Sequence, residues 1–173
     1  MTASLPLEIV SAHSPDSDDA FMFYGLATRK VRSSKVTFRH VLEDIESLNR
    51  KAMEGTYELS AISYHAYPYV ADKYVVMASG SSIGDGYGPM VVATRPMEIA
   101  ELKGKRIAIP GTMTSAFLTL KLLEPDFTPV IVQFDKILEA VRESVLALPL
   151  PLGMASPHPS RTTWRLLQPR RVK

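Results

Sequence analysis

The polar side chains best suited to hold a ligand gather near the start of the chain, in the segment 13–19, His-Ser-Pro-Asp-Ser-Asp-Asp. Leu7–Ala12 before it predicts a buried strand, and a helix is predicted to begin at Asp16. Ligands of open α/β folds bind outside the carboxyl ends of strands, so the turn Ser14–Asp19 is a candidate binding site. The alternative is that its aspartates only cap the helix, Asp16 as the N-cap and Asp19 within a capping box.

A second turn of chemical interest is the segment 111–115, Gly-Thr-Met-Thr-Ser, which follows another predicted strand. No acidic residue lies between Leu102 and Leu123, whereas four basic residues do. Backbone N–H groups at a helix start, together with hydroxyls such as those of Thr114 and Ser115, bind carboxylate or phosphate groups. The segment therefore predicts an anion site, with simple helix capping by Thr114 or Ser115 as the alternative.

Two further turns follow predicted strand ends. The first is Ser63-Tyr64-His65, where His65 could line a cleft. The second is the glycine-rich loop 80–89, which ends at Gly88-Pro89. A strand rather than a helix follows this loop, so it does not match the dinucleotide-binding pattern G-x-G-x-x-G. We expect it to form a flexible wall of a cleft.

The four histidines, His13, His40, His65 and His158, do not predict a metal site. No two of them have the four-residue spacing of a helical metal pair, and the chain has no cysteine. We expect His40 to be a surface or packing residue. No Ser-His-Asp arrangement is assigned, because spacing along the chain does not reveal which side chains meet.

The elements that must position these turns alternate between strand and helix. The first helix is expected to bury Ala20, Phe23, Tyr24 and Ala27, which share one face. This alternation predicts an α/β fold with a mixed, largely parallel sheet and helices on both faces. The remaining strands are predicted at Lys35–Val41, Glu58–Ser63, Tyr74–Met77, Met90–Thr94, Arg106–Ile109 and Pro129–Phe134, and the remaining helices at Glu43–Met53, Tyr64–Ala71, Glu98–Leu102, Thr114–Leu123 and Lys136–Glu143.

Length and composition exclude several classes of protein. A chain of 173 residues suits one domain, or one and a fraction. Without cysteine there are no disulfides, thiolate metal sites or cysteine nucleophiles. No apolar run approaches the roughly 20 residues of a membrane span. The first residues lack the basic and apolar regions of a secretory signal, so we expect no membrane association and a cytoplasmic location.

The charge of the chain is distributed unevenly. All 18 acidic residues lie at or before Glu143, and five of the 20 basic residues lie after it, so residues 1–143 carry a net charge of −3. This balance gives no reason to expect nucleic-acid binding. From Val145 on, prolines interrupt the sequence and no helical or strand period remains. Our hypothesis is a reading frame altered or truncated near residue 144, and a natural Pro-rich extension is the alternative.

Several motifs together resemble the 1,4-dihydroxy-6-naphthoate synthase family of menaquinone (futalosine-pathway) enzymes. Ser14-Pro15 followed by Asp19 resembles the opening S-P-x-x-x-D motif, and Val41–Asn49 is similar to the segment V-L-E-D-x-E-x-L-N. The resemblance covers residues 8 to about 143. It also includes the segments Ser63–Tyr67, Gly86–Pro89 and Ile109–Gly111 with Thr114.

The resemblance implies a periplasmic-binding-protein-like fold of type 2, with two α/β lobes and the ligand in the cleft between them. It implies conversion of cyclic dehypoxanthinyl futalosine to dihydroxynaphthoate, a carbon–carbon lyase reaction that uses no metal or redox cofactor. We predict a first lobe at 1–94, an incomplete second lobe at 95–144 and a disordered tail at 145–173. The residues expected to contact the substrate are Ser14, Asp19, Ala61, Ile62, Ser63, His65, Gly88, Thr114 and Ser115.

Two departures from the family pattern affect the predicted function. The opening motif often contains S-P-C-P-N-D-T, whereas residues 14–20 are Ser-Pro-Asp-Ser-Asp-Asp-Ala, nearer to a branch that only binds solutes. The catalytic base of the family is a histidine in an L-I-I-H-E segment, and this chain has no such segment; His158 does not match it. No catalytic residue is therefore assigned.

Two functions follow as hypotheses. The first is a dihydroxynaphthoate synthase homologue that is inactive in this form, and the second is a solute-binding protein for a carboxylated small molecule. In both, a small anionic molecule is held by Thr114 and Ser115 across a cleft from Ser63. A homodimer formed through exposed lobe surface is a further expectation.

Overall fold

The computed structural model describes residues 5–83, 88–142 and 146–147. The chain divides into two compact units, with the boundary between Ser82 and Ile83. Residues 84–87 of the glycine-rich loop and the tail from residue 148, which includes His158, lie outside the described residues.

The first unit is a three-stranded parallel sheet with two helices. Strand β1 lies in the middle of the order β2-β1-β3 and pairs along its whole length with β2, from Leu7 opposite Val36 to His13 opposite Leu42. Strand β3 adds only two pairs, Ser11 with Leu59 and Ala12 with Ser60. The elements are β1 (Leu7–His13), α1 (Ser17–Ala27), β2 (Val36–Leu42), α2 (Ile45–Glu54), β3 (Leu59–Ser60) and a 3-10 turn (Tyr67–Tyr69).

Helix α2 was predicted at Glu43–Met53 and is observed at Ile45–Glu54, so it begins two residues later and ends one residue later. The Asp44 side chain accepts a hydrogen bond from the Ser47 N–H at 3.0 Å, which caps the helix start. Gly55 at the other end has a φ of 73°, a left-handed conformation that glycine adopts without strain. Leu48, Asn49 and Ala52 form the buried face of the helix.

Helix α1 buries a different face from the one predicted. Ala20, Tyr24 and Ala27 are exposed, so their predicted burial is wrong, whereas Phe23 is half-buried as expected. The inward face instead centres on Asp19, because this carboxylate bonds to the preceding turn. The apolar pattern of α1 runs around most of the helix, and periodicity alone therefore could not identify the buried side.

The second unit repeats the same strand order. Strand β4 lies in the middle of the parallel order β5-β4-β6. Its elements are a 3-10 turn (Ile99–Leu102), β4 (Arg106–Ile109), α3 (Ser115–Leu123), β5 (Thr128–Ile131), a 3-10 turn (Phe134–Lys136), α4 (Ile137–Arg142) and β6 (Leu146–Ala147).

The two helices of the second unit cover opposite faces of its sheet. Ile107 and Ile109 of β4 pack in one cluster with Leu120 of α3. Ala108, which points the other way, packs with Ile137 and Val141 of α4. All strand pairs among the described residues are parallel, which confirms the predicted parallel α/β fold.

Two predicted strands differ in the structure, and one observed strand was not predicted. Tyr74–Met77 is not a strand, and Val75 in it is 87% exposed; a β-branched run has no reason to stay extended in a sheet without a partner strand. Met90–Thr94 contributes only a single bridge, at Val92. Conversely, Leu146–Ala147 forms a short strand in a segment where the sequence shows no strand period.

The compact units do not coincide with the lobes predicted from the sequence. Val92, which lies inside the predicted first lobe, packs with Ala108 and α4 in the second compact unit. Compactness does not define the family's lobes, and the boundaries 1–94, 95–144 and 145–173 stay predictions.

Candidate functional site

The first unit presents its candidate residues along one edge of its sheet. Because β1, β2 and β3 are parallel, their carboxyl ends lie at the same edge. The turn Ser14–Asp19 follows β1, and Ala61–Ser63 follows β3 directly beside it. The Ala61 N–H donates to the Ala12 carbonyl at 2.8 Å, which ties the second segment to the central strand.

The turn Ser14–Asp19 is held together by its own side chains. Asp19 Oδ2 accepts a hydrogen bond from the Ser14 N–H at 2.7 Å, and Ser14 Oγ accepts one from the Asp16 N–H at 3.2 Å. Ser14 and Asp19 are both buried. The predicted capping box is therefore wrong: Asp16 occupies the N-cap position without a side-chain bond to the helix, and Asp19 bonds to Ser14 instead.

The pKa of one carboxyl in this turn, that of Asp16, is raised. Burial raises the pKa of Asp16 above its ordinary value. A hydrogen bond with Ser14 lowers this pKa, and the nearby charges of Asp18 and Asp19 raise it. Three carboxyl groups so close together disfavour a further negative charge within the turn itself.

His13, the last residue of β1, contacts both the turn and helix α1. Its ring stacks on Phe23 of α1 at a centroid distance of 4.2 Å. The Ser14 carbonyl can only accept, so His13 Nδ1, at 3.1 Å, must donate to it. His13 Nε2 then accepts from His40 Nδ1 at 3.0 Å. His40 is thus a packing residue, as expected, but its pairing with His13 was not predicted.

This histidine pair leaves one buried nitrogen without a partner among the described residues, His40 Nε2. Burial lowers the pKa of His40, and the neighbouring His13 lowers it further. His40 therefore favours its neutral form, in which Nδ1 carries the proton that is donated to His13 Nε2.

Ser63 is fixed by a residue that the sequence did not single out. The Ser63 N–H donates to Asn49 Oδ1 at 2.8 Å, and Asn49 Nδ2 donates to Ser63 Oγ at 3.1 Å. Asn49 lies on α2 and is fully buried, whereas Ser63 is half-buried. Asn49 closes the V-L-E-D-x-E-x-L-N segment, and that motif was the available sign of its role.

The other predicted contacts of the first unit lie on the same segment. Ala61, Ile62 and His65 are all half-buried. The His65 ring meets the Tyr69 ring edge-on at a centroid distance of 6.0 Å. These three residues follow β3 and therefore extend the edge that Ser63 occupies.

Glu43 adds an ionised carboxylate after β2. Its Oε1 accepts from the Tyr57 hydroxyl at 2.9 Å and from Lys51 Nζ, while its own N–H donates to the His13 carbonyl at 3.2 Å. The hydrogen bond from Lys51 lowers the pKa of Glu43. This network is another feature that spacing along the sequence did not reveal.

In the second unit, Thr114 caps the helix that follows the central strand. Its hydroxyl donates to the Gly111 carbonyl at 2.9 Å and accepts from the Phe117 N–H at 3.3 Å. Thr114 is buried, whereas Ser115 is half-buried. The capping alternative is therefore realised at Thr114, and anion binding at Thr114 and Ser115 stays a prediction.

Gly88, the remaining predicted contact, is exposed, and a Cβ atom added there would meet nothing within 4 Å. Ser63 and Thr114 lie in different compact units, so the predicted placement of these residues across a cleft stays a prediction.

Within the described residues, no group of three histidine or carboxylate side chains is arranged to hold a metal ion. None of the helices in that part of the chain has the length and apolar character needed to span a membrane.

The chain matches the family model for menaquinone biosynthesis over residues 9–151. It is 45% identical over 130 residues to a 1,4-dihydroxy-6-naphthoate synthase of Thermus thermophilus. This match covers 75% of this chain and 47% of the length of the relative. A synthase of the same name from Streptomyces coelicolor is 33% identical over 141 residues. This match covers 76% of this chain and 48% of the length of that synthase. The chain thus spans about half the length of these curated relatives.

Solved structures support the fold. A protein from Archaeoglobus fulgidus is 49% identical, with a TM-score of 0.76 over 83% of this chain and 53% of its own. An alkanesulfonate-binding protein from Xanthomonas axonopodis shares the fold alone, at 15% identity and a TM-score of 0.63 over 96% of this chain and 62% of its own. These matches confirm the family resemblance of the sequence motifs and the periplasmic-binding-protein-like fold.

Proposed function

Because this chain belongs to the menaquinone-biosynthesis family, with 1,4-dihydroxy-6-naphthoate synthases as curated relatives, we propose that it binds the substrate implied by the resemblance, cyclic dehypoxanthinyl futalosine. In the first unit, the proposed ligand-binding residues lie at the edge of the sheet where the parallel strands have their carboxyl ends. We also propose a cytoplasmic location, which the family's place in menaquinone biosynthesis supports and which cell fractionation would test.

One observation carries the placement of the ligand. The chain leaves β1 through α1 toward β2 on one side, and returns through α2 past β1 to β3 on the other. Ligands of parallel α/β sheets bind where such connections diverge. Here the point of divergence lies between the Ser14–Asp19 turn and Ser63, which the sequence motifs had already assigned to the substrate.

The proposed contacts of the first unit are Ser14, Asp19, Ala61, Ile62, Ser63 and His65, and those of the second are Gly88, Thr114 and Ser115. In the second unit the absence of acidic residues from 103 to 122 supports an anionic group near Thr114 and Ser115. Replacing both residues with alanine should weaken binding, and Thr119→Ala on the same helix is the control. Unchanged binding by the double variant refutes this part of the site.

For this chain alone we propose binding without turnover. No segment of its sequence matches the L-I-I-H-E motif that the resemblance assigns to the catalytic base. Proton transfer needs a base within hydrogen-bond reach, so bound substrate should persist unchanged. This property is shared with the second candidate, a solute-binding protein for a carboxylated molecule.

The deciding experiment incubates the chain with cyclic dehypoxanthinyl futalosine and measures binding by calorimetry and product by absorbance after chromatography. Saturable binding without dihydroxynaphthoate supports the proposal. Formation of the product refutes the lack of turnover, and the absence of binding at millimolar substrate refutes the function. Tighter binding of an unrelated carboxylate than of the substrate favours the solute-binding alternative.

A further inference from the structure

Asn49 is a buried polar side chain whose two hydrogen bonds end on the same residue. It lies on α2 with no exposed surface, 14 residues before Ser63. One bond reaches the backbone N–H of Ser63 and the other its hydroxyl oxygen. A buried amide that only had to be satisfied could use any neighbouring backbone group, so its pairing with one serine is informative.

The roles of donor and acceptor in this pair are forced by chemistry. The Ser63 N–H can only donate, so the amide atom facing it at 2.8 Å is the oxygen, Oδ1. The other amide atom is then Nδ2, which can only donate, and Ser63 Oγ at 3.1 Å must accept. The orientation of the Asn49 amide is therefore fixed by the backbone.

It follows that the hydroxyl hydrogen of Ser63 points away from Asn49. One lone pair of Oγ is occupied by Nδ2, and no acceptor for the Ser63 O–H exists among the described residues. Ser63 is half-buried and lies at the carboxyl edge of the sheet, so its O–H is left to bond to solvent or to a ligand. The Ser63 N–H, by contrast, is already bonded to Asn49.

We propose that Asn49 is a positioning residue for ligand binding: it holds the Ser63 hydroxyl as a hydrogen-bond donor to an anionic oxygen of the ligand. This inference rests on the proposed function, which places the ligand at this edge. It assigns a preference as well as a position, because a donor hydroxyl favours carboxylate oxygens over ammonium groups.

The test uses Asn49→Asp, which keeps the size of the side chain. An ionised carboxylate can only accept, so it draws the Ser63 O–H inward and adds a negative charge. A protonated carboxyl again offers one donor and one acceptor, and so reproduces the amide. Because burial raises the pKa of a carboxyl, the variant should recover binding as the pH falls.

The probe is 1,4-dihydroxy-6-naphthoate, kept anaerobic and titrated into the full chain between pH 8 and pH 5. At pH 8 we expect Asn49→Asp to bind at least about tenfold more weakly than the unmodified chain, the loss of one hydrogen bond to a charged group. The difference should shrink toward pH 5. Ser63→Ala should bind weakly at every pH, and Ser60→Ala, at the end of β3 three residues before Ser63, should bind normally.

Each outcome decides one question. If the unmodified chain binds cyclic dehypoxanthinyl futalosine but not the probe, only the inference fails, and if it binds neither molecule, the proposed function fails as well. If it binds the probe, and Asn49→Asp binds equally well or shows the same loss at every pH, only the inference is wrong. Circular dichroism checks the fold of each variant. Should Asn49→Asp not fold, Ser63→Ala decides, because normal binding by that variant overturns the inference.

Discussion

In both compact units a helix follows the central strand of the sheet, yet the residues at the two helix starts differ in charge. In each unit the first strand of the sheet lies in the middle, and its carboxyl end leads into a helix, β1 into α1 and β4 into α3. The start of α1 carries three aspartates, whereas the start of α3 carries none. The same topology therefore presents a negative turn in one unit and an acid-free turn in the other.

The hydrogen bonds differ in the same way. At α3 the N-cap residue Thr114 bonds to the Phe117 N–H, the usual capping arrangement. At α1 the N-cap residue Asp16 makes no such bond, and Asp19 from the first turn accepts from the Ser14 N–H instead. The comparison shows that an acidic residue at a helix start can stabilise the preceding turn rather than the helix.

The largest effect is expected at Asp19. Replacing it with alanine leaves the buried Ser14 N–H without its acceptor, which should lower the free energy of unfolding by about 1–3 kcal/mol. Urea unfolding of the full chain, followed by circular dichroism, measures the loss. Asp18→Ala is the control and should change stability by less than about 0.5 kcal/mol. Equal losses in the two variants would mean that the charge of the turn, not the bond to Ser14, is what matters.

At Thr114 the expected loss is smaller. Thr114→Ala removes the cap of α3 and should lower the free energy of unfolding by about 1 kcal/mol. Thr114→Ser keeps the hydroxyl and should recover most of this loss in the same urea titration. If the serine variant is no more stable than the alanine variant, packing of the methyl group rather than capping explains the effect.

The corresponding change at the other N-cap should not be destabilising. Asp16→Ala removes no cap bond, and the raised pKa of Asp16 shows that its ionised form is disfavoured in the folded state. We expect a gain of a few tenths of a kcal/mol at pH 7, which lies above the ordinary pKa of 3.8. The gain should vanish as the pH falls below 3.8, because the group is then protonated in both states. A loss of about 1 kcal/mol would show that Asp16 caps α1 after all.

The smallest effect is expected at His40 of the first unit, where the free energy of unfolding should depend on pH. The lowered pKa of His40 means that the unfolded chain takes up its proton first, so stability should decline as the pH falls below 6.5. Facing His40 are His13 of β1 and Phe23 of α1, and the described part of the second unit contains no histidine. His40→Asn keeps a donor for His13 without titrating.

Urea midpoints at pH 7.5 and pH 5.5 give the measurement for His40. The variant should show a smaller difference between the two midpoints than the unmodified chain. An identical difference in both proteins would assign the pH dependence to other groups of the chain.

The sequence determined the parallel α/β pattern and the family. Strand and helix periods depend on residues a few positions apart, and such patterns are visible in a single chain. The motif segments likewise indicated the family that the comparisons confirmed. The predictions failed where a pattern was ambiguous, as in α1, or where a strand needed a partner, as at Tyr74–Met77.

Only the tertiary structure decided what the polar residues do. The bond between His13 and His40 joins residues 27 apart, and the bonds between Asn49 and Ser63 join residues 14 apart. These contacts depend on the register of parallel strands and on the side of the sheet that each helix covers. Local sequence does not specify either one, because both are set by burial of the whole core. That is why Asp19 was recognised as a candidate, while its bond to Ser14 and the role of Asn49 became evident only in the folded unit.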